Sequence, residues 1–208
     1  MTSTNINLTK FFKDGIHFAC QKCGQCCRGF NSGEVFLYKE DIIRLVNYMN
    51  QELDQDITLT SFCEKYVKLI GTSFYWKPKG ASRGRNYSFK TLGFRFVGED
   101  EHCPFLSEEN LCTVHKARPF QCKAYPIGWN MLITSVRNFR KYTRECPGLE
   151  KSLQNEGRYY TSDEITQWAH REYKIEKNFF LKMKEHDFDI FNVFPFLPKD
   201  LCKKSKRY

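Results

Sequence analysis

The sequence has no long apolar run. Nothing in it approaches the roughly 20 apolar residues that a membrane span needs, and the opening stretch, MTSTNINLTKFFKDGIHFAC, is interrupted by Lys10, Lys13 and Asp14. A secretory leader would instead place an apolar core after a basic start. These two absences predict a soluble, cytoplasmic chain with no membrane span. Neither G-x-G-x-x-G nor G-x-x-x-x-G-K-[ST] occurs, so the common glycine-rich phosphate cradles are missing. No Ser-His-Asp arrangement stands out, and there is no internal repeat or low-complexity tract to suggest a repeat array.

Cysteine is what the sequence does have. There are 10 among 208 residues. Four fall within CQKCGQCC, residues 20–27: Cys20, Cys23, Cys26 and Cys27. Three more, Cys103, Cys112 and Cys122, lie in HCPFLSEENLCTVHKARPFQCKAYP, residues 102–126, and Cys146 follows in Cys146-Pro147-Gly148. In a cytoplasmic chain thiols stay reduced, so clustered cysteines point to metal rather than to disulfides.

The length suits one domain with an added helical arm. At this size folding hides about 70% of the unfolded chain's surface, and 19 Phe, 11 Tyr and 3 Trp supply bulk for a core. A metal therefore need not be the only thing holding the fold together. Ile42, Val46, Met49 and Leu53 recur at helical spacing over residues 39–53. Thr60 is placed to cap a second helix reaching Ile70. Residues 72–98, with Tyr87, Phe89, Phe94 and Phe96 among glycines, read as one or two β-hairpins. Residues 129–141 read as a strand. Thr161 and Glu164 form a capping-box pair ahead of a long helix to about residue 186, and residues 187–208 read as irregular. The fold class expected is α+β: an irregular cysteine-rich metal-binding core with short helices and hairpins over residues 1–150, and a helical extension over 151–208.

C-x2-C is a chelating spacing because two intervening residues let the chain curl until both sulfurs reach one ion. C-x2-C-x2-C opens the bacterial ferredoxin pattern, in which three cysteines hold one [4Fe–4S] cube and a remote Cys-Pro completes the set. Cys103-Pro104 and Cys146-Pro147 are two such pairs. The immediate Cys27 departs from the ferredoxin continuation. Side chains of neighbouring residues are expected to diverge, so that Cys26 and Cys27 serve different metals, different irons of one cluster, or only one of them ligates. The metal-ligand set is Cys20, Cys23, Cys26, Cys27, Cys103, Cys112, Cys122 and Cys146, twice the demand of one cube or one tetrahedral zinc. Cys63 reads as a small buried residue and Cys202 as a bystander in the tail. His102 and His115 read as neighbours of the centre rather than ligands.

The formal charge is +9. Metal-bound thiolates offset part of it, since four of them around zinc or a cube leave a site of about −2. Lys203, Lys204, Lys206 and Arg207 account for more, as a solvated terminus. A nucleic-acid partner is therefore not the expected one; an unidentified protein partner or substrate is.

The run C-x2-C-x2-C-C followed by CPFL…C…H…RP..C..YP resembles the CxxCxxCC family, also called YkgJ-type cysteine-cluster proteins and described as zinc- or iron-chelating. The resemblance covers roughly residues 18–148 and carries the same eight cysteines, with Arg118, Pro119, Tyr125 and Pro126 matching its RP..C..YP portion. It implies a metal centre, an iron–sulfur cluster (4Fe–4S) or zinc. A more distant similarity, to flagellin lysine-N-methylases, adds the possibility of an enzyme that modifies a protein by methyl transfer or redox chemistry. A zinc module for nucleic acid is the third reading, but the eight residues between Cys103 and Cys112 and the nine between Cys112 and Cys122 are unlike a finger or ribbon.

Overall fold

A computed structural model describes residues 6–28 and 33–201. The class is α+β, with eight α-helices and two small antiparallel sheets among the described residues. The chain forms two compact units, each assembled from three stretches. The first takes its residues from the N-terminal stretch to Gly33, from Val97–His115 and from Phe120–Ile175; the second takes them from Glu34–Phe96, Lys116–Pro119 and the chain from Glu176 on.

In the first unit, strand β1 (Ile16–Phe18) pairs antiparallel with the much later strand β5 (Arg158–Tyr160), Ile16 opposite Tyr160. Its core gathers Phe12, Ile16, Leu132, Ile133, Phe139, Leu149, Ile165 and Ala169. Phe11 stacks on Phe139 at 4.1 Å and Phe12 meets the same ring edge-on at 5.4 Å, both favourable ring arrangements. Short helices α3 (Phe120–Ala124) and α6 (Pro147–Ser152) carry two of the cysteine-bearing segments.

The strand expected over residues 129–141 is instead two helices, α4 (Asn130–Ile133) and α5 (Val136–Thr143). Ser135 caps the second, its Oγ accepting from the Asn138 N–H at 3.2 Å. The first is anchored from far along the chain: the Asn130 N–H donates to the Glu172 carboxylate at 2.7 Å, and the Asn130 side chain donates to the Ala169 carbonyl at 3.1 Å. Tertiary partners thus decide the local structure of a segment whose β-branched residues suggest a strand.

In the second unit, helix α1 (Lys39–Glu52) buries Ile42, Leu45, Val46 and Met49, while Leu53 is its partly exposed C-cap. Helix α2 runs over Leu59–Tyr66 from a Thr58 cap, whose Oγ1 accepts from the Ser61 N–H at 3.1 Å. It ends before the expected Ile70 because Val67, Leu69 and Ile70, apolar and mostly β-branched, enter strand β3 (Val67–Trp76). Strand β3 pairs along its length with β4 (Arg85–Phe94), which also takes the short β2 (Phe36–Leu37) on its other side.

Helix α7 (Ser162–Glu185) starts at the expected capping box: the Thr161 N–H donates to Glu164 at 2.9 Å and the Glu164 N–H donates to Thr161 Oγ1 at 3.2 Å. Beyond it the stretch expected to be irregular holds a one-turn helix, α8 (Ile190–Val193). No helix among the described residues is long and apolar enough to cross a membrane.

Candidate metal centre

All eight cysteines of the expected ligand set fall in the first unit, and Cys63 falls in the second. The nine described cysteines are thiols rather than disulfides. Cys202 lies outside the described residues.

The loop after β1 carries CQKCGQCC and ends in a 3-10 turn, Gln25–Arg28, closed by the Cys27 N–H on the Gly24 carbonyl at 2.9 Å. This tight turn aligns neighbouring side chains that were expected to diverge. The Cys26 and Cys27 sulfurs lie 4.0 Å apart. Two thiolates on one tetrahedral ion with bonds of about 2.3 Å sit about 3.8 Å apart, so adjacency in sequence is no bar to a shared metal.

Three backbone approaches bring the other segments to this loop. The Cys103 N–H donates to the Cys27 carbonyl at 2.6 Å. A side chain at Gly148, two residues after Cys146, would come within 2.8 Å of the Ala19 carbonyl oxygen, and one at Gly24 within 3.0 Å of the Asn110 side chain, two residues before Cys112. Cys112 closes the bridge Leu106↔Cys112 that folds this stretch back on itself. Cys122 is half-buried in α3, and Cys20 is exposed where β1 gives way to the loop.

The thiols differ in their electrostatics. Burial pushes Cys103 up to about 12; the Phe105 N–H acts against that shift, and negative charge on Cys112 or Cys26 adds to it. Burial also raises Cys146, while the nearby Tyr125 side chain and the N–H groups of Leu149 and Gly148 favour its thiolate, and Cys23 opposes it. Tyr125 itself is held well above the ordinary phenol range, by burial first and then by the neighbouring Cys146. Among the described residues no three His, Cys, Asp or Glu side chains close into a ready metal-binding group.

At the rim, Asp100 pairs with Arg28 at 3.4 Å and with His102 Nδ1 at 2.6 Å. The His102 hydrogen bond is the main cause that holds the Asp100 carboxyl below its usual range. His102 is therefore turned toward a carboxylate through one ring nitrogen. Sequence reasoning missed this Arg28–Asp100–His102 chain; the charged cluster flanking Cys103 was its only signal. Of the aromatics near the cysteines, Phe105 and Phe120 are buried, while Phe30 lies outside the described residues.

The candidate donors are all cysteine sulfurs, with the N–H groups of Phe105, Leu149 and Gly148 favouring the thiolates of Cys103 and Cys146. That chemistry fits a soft or borderline metal such as zinc or iron, and it defines the class as a cysteine-cluster protein. The chain belongs to the CxxCxxCC family, whose model, described as "putative zinc- or iron-chelating domain", matches residues 19–147. No solved structure matches the chain.

Proposed function

We propose that this protein binds an iron–sulfur centre through Cys20, Cys23, Cys26, Cys27, Cys103, Cys112, Cys122 and Cys146, with zinc as the alternative occupant. The observation that carries the reading is the adjacency of Cys26 and Cys27, 4.0 Å apart, in a loop whose carbonyl at Cys27 is bonded to the Cys103 N–H. The C-x2-C-x2-C run and the two Cys-Pro pairs favour iron–sulfur over zinc. So do buried Phe105 and Phe120 beside the cysteines, since burial and hydrogen bonds to sulfur stabilise and tune clusters. When bound, such a centre supplies electron transfer or an iron Lewis acid. This chain's own residues hold the sulfurs, favour the Cys146 thiolate with the N–H groups of Leu149 and Gly148, and exclude water with the two phenylalanines.

Anaerobic purification with iron, sulfide and zinc analysis tests the reading. A brown protein absorbing near about 400 nm with iron and sulfide in equal amounts is expected. A colourless protein with stoichiometric zinc would replace the cluster by zinc, and a chain holding neither metal would sink the proposal. Single Cys→Ser changes at the eight positions should each lower bound metal, whereas Cys63→Ala should not.

A further inference from the structure

The excess positive charge of this chain is not spread evenly. Between Glu64 and Glu99 there are eight lysine and arginine residues and no aspartate or glutamate. That stretch is the β3–β4 hairpin with its flanks. Four of the eight have local work: Lys68 pairs with Glu34 at 2.9 Å, Arg95 donates to the Glu64 and Val67 carbonyls at 3.0 and 2.9 Å, and Lys65 and Arg85 lie over the Tyr66 and Tyr87 rings at 5.0 and 4.4 Å. Lys77, Lys79, Arg83 and Lys90 are exposed and make no ion pair with another described residue.

The pleat sorts the two faces of the ribbon. Phe74, Tyr87 and Phe89 share one face and pack on Phe180 of α7, at ring distances of 4.8, 5.3 and 6.0 Å. The opposite face carries Ser73 across from Ser88 and Tyr75 across from Asn86, all exposed. Tyr75 is 61% exposed, yet its ring is not loose. It lies across Gly84 on the returning chain, where a β-carbon would come within 2.6 Å of the ring. An exposed aromatic ring on an open polar face, with cations at the hairpin end and Lys90 on the same face, is an arrangement for bases and phosphates. Single-stranded nucleic acid is bound by such stacking rings beside basic groups. A bilayer would want a greasy tip, whereas residues 77–84 read Lys-Pro-Lys-Gly-Ala-Ser-Arg-Gly, with no large apolar side chain to insert.

We propose that the outer face and tip of the β3–β4 hairpin form a docking surface for single-stranded nucleic acid, with Tyr75 stacking on a base and Lys77, Lys79, Arg83 and Lys90 meeting phosphates. This site lies outside the cysteine cluster and does not depend on which metal the cluster holds. The segregation of cations onto one hairpin is independent of the net charge and of the basic tail.

Fluorescence anisotropy on the full metal-loaded chain tests it, with 20-nucleotide labelled RNA and DNA strands as separate probes, titrated over salt. Wild type should bind at least one of them with a salt slope set by about 0.7 per phosphate contacted. Lys77→Gln/Lys79→Gln/Arg83→Gln should reduce that slope by about 2, and Tyr75→Ala should weaken binding about 5- to 160-fold, the range for one lost base stack. Ser88→Asp, a carboxylate on the same face, should weaken binding with metal content unchanged, which separates a lost surface from a lost fold. No binding of either strand, polyglutamate competing as well as the oligonucleotides, or binding that survives the hairpin changes but is lost when Lys203, Lys204, Lys206 and Arg207 become Gln would each overturn the proposal.

Discussion

A methyl group at position 148 would lie 2.8 Å from the Ala19 carbonyl oxygen and 2.8 Å from the Phe18 ring. One of the two obstacles is backbone, so the chain just before Cys20 would have to move. Gly148→Ala should therefore weaken metal binding by about 10-fold or more, as changes around the ligands of a metal site do, although no ligand is altered. Gly71→Ala, where the added carbon meets nothing within 4 Å, is the control. Metal titration of the two variants by a competing chelator decides it; equal affinity for both would mean that the 146–148 segment does not position the loop. Cys63 gives a second test at this scale. It is fully buried, and burial pushes its thiol up to about 12 from 9.0. The folded state thus keeps the proton while the unfolded state loses it above pH 9, so stability falls as pH rises from about 9 to about 12, by at most about 1.4 kcal/mol per pH unit. Cys63→Ala should flatten the fall in denaturant midpoint between pH 8 and about 10.5; an unchanged slope would show that Cys63 is not the group responsible. The eight cysteines were chosen as candidates from their spacing, and all of them fall in one unit. The contacts between their segments, the Cys103 N–H on Cys27 and Gly148 against Ala19, were not legible, because each links residues that only the folded chain brings together.

Elements with a strong local signal were read from sequence and elements without one were not. Helix α1 shows an apolar stripe, and α7 carries its own start signal in Thr161 and Glu164, reinforced by Arg158 on Glu164 at 2.7 Å. Thr161→Ala should cost about 1 kcal/mol of stability, the usual worth of an N-cap, and a chemical denaturation midpoint unchanged from wild type would show that tertiary packing alone sets the helix start. Segment 129–143 has no such signal. Its β-branched residues favour a strand, yet Ser135 and the distant Glu172 supply the hydrogen bonds that make it two helices. Likewise α2 stops at Tyr66 because the next residues find ten partners on β4, a pairing that depends on residues about twenty positions further along. Phe180 marks how strongly α7 is tied to that hairpin: it is fully buried against Phe74 and Tyr87. Phe180→Ala should cost about 3–5 kcal/mol, read from the same denaturation curves, and a cost below 1 kcal/mol would mean the aromatic layer can close over the gap.

For the whole molecule, the open physical question is what remains when metal is taken away. In a small zinc finger the metal binding energy is the folding energy, and the metal-free chain is unfolded. This chain differs in having a mainly aliphatic and aromatic core in each unit: Phe12, Leu132, Phe139, Leu149 and Ile165 in one, and Leu37, Ile42, Leu45, Phe62, Leu92 and Phe94 in the other, all essentially without solvent exposure. The two buried cysteines of the cluster also have an alternative to ligation. Burial raises the proton affinity of Cys103 and Cys146, so once the metal leaves, each takes up a proton and stays inside as a small, nearly apolar group rather than as an uncompensated buried charge. The exposed Cys20 and Cys26 lose their partner at no burial cost. Stripping the metal with a chelator under anaerobic, reducing conditions should therefore leave most of the helical circular dichroism intact. The change should be local, with new protease cleavage confined to residues 19–28 and 97–115. Collapse of the helical signal on metal loss would show instead that the cores are too small to fold alone and that the cluster holds the molecule together.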